Sequence, residues 1–147
     1  DSAVELYLTQ SLNIPRVRLP DKDRPRDLPV NDPGLLIREM TDGLELRQPD
    51  RAGACVAHFL WRDYDADALI SSMIAAMFRE DGDFHTFQTM RACINQFEAL
   101  TDDPDRALTL VGITRMFAAQ RMRRNVLMST QFALKLSKGE YLAGGEE

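Results

Sequence analysis

From residue 35 to about residue 138, apolar side chains recur every three or four positions, the repeat of helices that each bury one face. Asp32-Pro33 reads as an N-cap followed by a first-turn proline, with Leu35, Leu36, Ile37 and Met40 behind it and Gly43 as the stop. Leu44-Glu45-Leu46-Arg47 alternates and reads as a short extended piece. Pro49-Asp50 opens a second helix carrying Ala54, Cys55, Ala57, His58, Phe59, Leu60 and Trp61. Asp65 caps a third, through Leu69, Ile70, Met73, Ile74, Met77 and Phe78 to Gly82. With Ala66, Ala68, Ala75 and Ala76 added it is apolar nearly all round, which predicts a place at the centre of the bundle. Asp83 caps a fourth, with Phe87, Met90, Ile94 and Phe97 on one face. Asp103-Pro104-Asp105 opens a fifth through Leu108, Val111, Met116 and Phe117. The stretch 120–138 continues it or forms a sixth helix stopped by Gly139.

Residues 13–34 break this rhythm. Five of the seven prolines fall there (Pro15, Pro20, Pro25, Pro29, Pro33), each fixing φ and removing a donor. Isolated apolar residues and alternating charges lie between them. The segment reads either as an extended arm that docks on a partner or as a surface loop lying on its own domain or a flexible linker. Ahead of it, Ser2 and Glu5 have capping-box spacing, and Val4, Tyr7, Leu8 and Leu12 fit a short helix, although Val4, Leu6 and Leu8 also alternate as in a strand. The predicted fold is therefore an all-α bundle of five or six helices with an extended proline-rich N-terminal arm. Helix and arm occupy 1–34, the bundle 35–140 and a frayed tail 141–147.

Composition narrows the class without naming a function. The 147 residues are 44% hydrophobic and 28% charged, ordinary for one globular domain and unlike a disordered or fibrous chain. No apolar run reaches the roughly 20 residues of a membrane span, and no secretory leader is visible, which points to the cytoplasm. The chain starts at Asp1, which leaves a processed or truncated start open. Cys55 and Cys93 read as two reduced core thiols, with a single bridge open to them if their helices touch. Charge is segregated. Residues 63–105 hold ten acids and two arginines, whereas 106–139 hold seven basic residues and no acid.

Candidate chemistry is sparse. Neither His58 nor His85 has a glutamate three residues before it, so the Glu-x-x-His pairs of a di-iron bundle are missing, as is His-Glu-x-x-His. Cys55-x-x-His58 is half a zinc knuckle, and the pair is better explained by packing than by catalysis. The acids within 80–83 sit at a helix boundary where capping explains them. No metal, cofactor or catalytic group is assigned. On the fourth helix His85, Gln88, Thr89, Ala92, Asn95 and Gln96 form an uncharged polar stripe suited to a subunit or small-ligand contact, and histidine is the side chain that changes charge near neutral pH. On the last helix Arg121, Arg124, Lys135 and Lys138 share one arc. Without interleaved aromatics, and in an acidic chain, this basic face suits the acidic 63–105 block or a second copy better than nucleic acid.

Two functional classes follow. One is a non-catalytic interaction or accessory subunit that engages a partner or a second copy through its arm and helix faces. The other is a ligand- or metal-binding bundle, enzymatic or not, with a site near His58, His85 and the acids at 80–83.

Overall fold

The computed structural model describes residues 18–24, 27–79, 84–119 and 125–138. The N-terminal helix expected before residue 13 and the tail at 141–147 lie outside these. Within them are six helices and no strand: α1 (Pro33–Glu45), α2 (Pro49–Trp61), α3 (Ala66–Phe78), α4 (Phe84–Ala99), α5 (Ala107–Ala119) and α6 (Asn125–Ser137). The all-α bundle read from the periodicity is the observed fold.

Helix starts follow the caps. The Asp32 carboxylate accepts from the Leu35 amide at 2.9 Å, with Pro33 in the first turn, and the Asp65 carboxylate accepts from the Asp67 amide at 3.0 Å. The fifth helix starts later than expected. The Asp103 carboxylate takes the Asp105 amide at 2.8 Å, closing a turn, and α5 begins only at Ala107. Arg106 clamps that turn, lying 4.1 Å from the centre of the Phe97 ring and donating to the Thr101 carbonyl at 3.2 Å.

Helix stops differ from the expectation. Gly43 does not end α1, and Leu44 and Glu45 are helical rather than extended. The chain leaves α1 through Arg47, a left-handed residue with φ 56°. There Gln48 N–H donates to Gly43 O at 2.8 Å and Arg47 N–H to Leu44 O at 3.3 Å, the two bonds of a Schellman motif. α2 ends the same way through Asp63, φ 52°, with Tyr64 N–H to Phe59 O and Asp63 N–H to Leu60 O. The accompanying hydrophobic contact is the edge-on Tyr64–Phe59 ring pair, 5.3 Å between centroids. Gly43 instead serves close packing: a Cβ there would stand 3.1 Å from both the Cβ and the amide nitrogen of Ala52.

The centre of the bundle is α2 against α5, flanked by α1 on α2 and α4 on α5. Each central helix buries seven of its 13 residues, among them Val56 and Phe59 on α2 and Leu110 and Thr114 on α5. Gly53 sets the approach, since a Cβ there would meet the Arg115 side chain at 2.8 Å. α3, expected at the centre, lies at the edge. Only Leu69, Met73 and Met77 are buried, Ala68, Ser71 and Ala75 are exposed, and Phe78 is 62% exposed. Beyond the buried stripe its apolar girth is four alanines, which gain little from burial, the half-buried Ile70 and Ile74, and the exposed Phe78.

Of the arm, residues 18–24 and 27–32 are described, carry no helix, and lie on the bundle. Leu28 is buried in the core, and Val30 packs against it. Tyr64 OH donates to the Val30 carbonyl at 3.1 Å, Arg62 to Asn31 Oδ1 at 3.0 Å, and Arg115 to the Arg18 carbonyl at 3.0 Å and to the Asp50 carboxylate. Residues 13–17, 25 and 26 of the arm lie outside the described residues.

Candidate functional site

The two histidines occupy different surroundings. His58, on the inward face of α2, is buried, meets the Trp61 ring edge-on at 5.3 Å and lies against the arm at Asp21. Burial, and then the neighbouring Arg62 guanidinium, push its pKa below the ordinary imidazole value, while the Asp21 backbone and carboxylate pull the other way. It is thus a neutral core imidazole beneath the arm. His85 is exposed on the first turn of α4 beside Phe84. Among the described residues no hydrogen bond or ring contact joins the histidines, and no group of three or more His, Cys, Asp or Glu could hold a metal ion. The acids at 80–83 lie outside the described residues.

The thiols are placed for packing. Cys55 is 1% exposed, and burial pushes its pKa up to about 12, against the lowering effect of Arg51. Burial also raises half-buried Cys93, and both thiols are free. With its proton held this tightly, Cys55 does not supply the thiolate a Cys–His nucleophile needs.

The α4 stripe is surface. Gln88, Ala92, Asn95 and Gln96 are exposed, and the Thr89 hydroxyl donates to the His85 carbonyl at 2.8 Å, a bond within the helix that leaves it less free for a ligand. Of the basic face, Lys135 and Lys138 are exposed on the last helical stretch, and Arg121 and Arg124 lie outside the described residues. Among the described residues no ion pair connects the acids of 63–105 with the basic residues of 106–139. The ion pairs found are Arg24–Asp21, Arg51–Glu39 and Arg115–Asp50.

Two groups of large apolar side chains are exposed. Among the described residues α6 makes little contact with the other five helices, and all of residues 129–138 are exposed. Phe132, Leu134 and Leu136 stand 54%, 54% and 46% exposed, and a projection at 100° per residue puts Phe132 and Leu136 on one side. A second exposed group surrounds the α3–α4 corner, where Phe78 is 62% and Phe84 71% exposed, with the Phe78 ring 5.4 Å from that of Phe87. Signals for both were present: an apolar girth on α3 beyond what one buried face needs, and leucines on more than one side of the last helix. Acids flank the outer face of α3, with Asp63, Asp65 and Asp67 exposed at its start.

Comparisons with known protein families, with curated proteins and with solved structures found no match.

Proposed function

We propose that this chain is a non-catalytic helical interaction protein or accessory subunit, which engages a protein partner or a second copy of itself through α6 and the outer face of α3. The observation that carries this reading is α6. A 13-residue helix is marginally stable in water by itself. Helices in globular proteins are stabilised mainly by a docked apolar face, and here Phe132, Leu134 and Leu136 are exposed. An undocked amphipathic helix is the form in which helix-in-groove contacts are made. The absence of a recognised reactive constellation agrees with the reading without carrying it. Two free thiols fit a reducing compartment such as the cytoplasm. No helix among the described residues is long and apolar enough to cross a membrane. Residues 18–24 and 27–32 contact their own bundle, so the reading places the partner contact on the helix faces and leaves these residues a fastening part.

The test is the double variant Phe132→Asp, Leu136→Asp in the full chain, compared with the parent by sedimentation velocity, affinity purification from extract and thermal melting. The parent should self-associate or retain a partner that the variant does not, with melting midpoints within about 2 °C of each other. A variant that melts more than about 5 °C lower would show that these side chains belong to the core and would remove the basis of the reading.

A further inference from the structure

We infer that the surface that receives α6 is the outer face of α3 on a second copy of this chain, so that two chains exchange their last helices reciprocally. This rests on the reading of α6 as a docking element and names its occupant. The two surfaces are complementary in shape and charge. On α3, Ala68, Ser71, Ala75 and Phe78 are all exposed and fall at spacings of three, four and three, a nearly straight stripe. Its first three members are small and let another helix come close, and Phe78 closes one end. On α6, Phe132 and Leu136 stand one turn apart, with small Ser129 and Ala133 beside them. Bulky side chains on one helix and small ones on the other interdigitate, as close packing requires. Both helices have 13 residues, about 20 Å of matched length.

Charge selects the pairing. No acid occurs anywhere in 106–139, and exposed Lys135 and Lys138 flank the apolar side of α6. Exposed Asp63, Asp65 and Asp67 lead into α3, and three further acids, at 80, 81 and 83, follow it in the sequence. Within one chain no ion pair among the described residues links these blocks, and residues 129–138 lie exposed. Between two copies both demands are met at once. A two-fold axis then forms the contact twice, each chain giving α6 and receiving it.

The experiment uses three full-length proteins: the parent, a donor-dead variant (Phe132→Asp, Leu136→Asp) and an acceptor-dead variant (Ala75→Asp, Phe78→Asp). All four altered positions are exposed, and circular dichroism melts verify that each protein stays folded. Light scattering across a concentration series should show a parent dimer and, in each variant alone, dimerisation weakened by at least roughly a hundredfold. An equimolar mixture should recover a heterodimer, because the donor-dead chain keeps an intact α3 face for the other chain's α6. A parent dimer that survives either variant, or a mixture that stays monomeric, overturns the assignment. A parent that remains monomeric up to about 1 mM overturns it as well. In that case rapid amide exchange in α6 would leave the broader partner reading standing, whereas protected α6 amides would end both.

Discussion

The arm and the last helix of this protein separate two properties that usually travel together, regular backbone and anchorage. Residues 18–24 and 27–32 have no helix, yet they are held by a buried leucine and by hydrogen bonds from three different side chains, Arg62, Tyr64 and Arg115. α6 satisfies its backbone internally over 13 residues, yet from 129 to 138 its side chains are exposed. A proline-rich segment bonds its backbone to itself only in isolated turns, here Arg24 to Asp21, Val30 to Leu28 and Asp32 to Pro29, so its other carbonyls depend on the surface that supplies donors. A helix depends on a surface only for its apolar side chains. Of the two, the regular segment is therefore the one that can be free for another molecule.

The widest gap between the two regions is expected on deletion. Removing 1–31 takes away the buried Leu28, the acceptors of Tyr64, Arg62 and Arg115, and the cover of His58. Thermal and urea unfolding should show a loss of about 3–5 kcal/mol. Removing 125–147 should cost less than about 1 kcal/mol. Equal losses would erase the distinction. At single residues the contrast narrows to Leu28→Ala, about 2–3 kcal/mol, against Leu134→Ala, under about 0.5 kcal/mol.

Acid should loosen the arm's side of the fold first. His58 has its folded pKa below the unfolded value, so the unfolded chain binds the proton more readily. Its contribution is complete above the unfolded value near 6.5 and is lost as pH falls below it, with a slope of at most about 1.4 kcal/mol per pH unit from this group. In His58→Gln the part of the pH dependence that sets in below 6.5 should flatten. A parent whose stability rises on acidification across that range would contradict the placement of His58. The smallest effect concerns the left-handed Arg47. Arg47→Gly relieves its backbone strain and should raise stability by about 0.5–1 kcal/mol in urea titrations, with self-association unchanged.

Much of the helix order was legible because it rests on strong local signals. Asp32-Pro33 and Asp65 act as the caps they resemble, and Leu69, Met73 and Met77 form the buried stripe their spacing implies. Helix ends were less legible. A glycine is the usual mark of a stop, but Gly43 is spent on contact with Ala52, and the stops fall to Arg47 and Asp63, whose left-handed backbone has no compositional mark. The position of α3 was misread for a related reason. Periodicity reports that a face is apolar but not whether this chain or another covers it. For the candidate site, His58 and His85 were selected by residue type, and tertiary placement separates them into core and surface. The exposure of Phe132, Leu134 and Leu136 could be recognised only once the other helices had been seen to pack.

Amide hydrogen exchange of the dilute full-length monomer compares both regions in one measurement. The amides of α6 should exchange within minutes, close to their intrinsic rates, while those of α2 and α5 and the bonded amides of Val30 and Asp32 persist far longer. An α6 as slow to exchange as α2 and α5, with the arm amides fast, would contradict the assignment of the arm as fastened and the last helix as free.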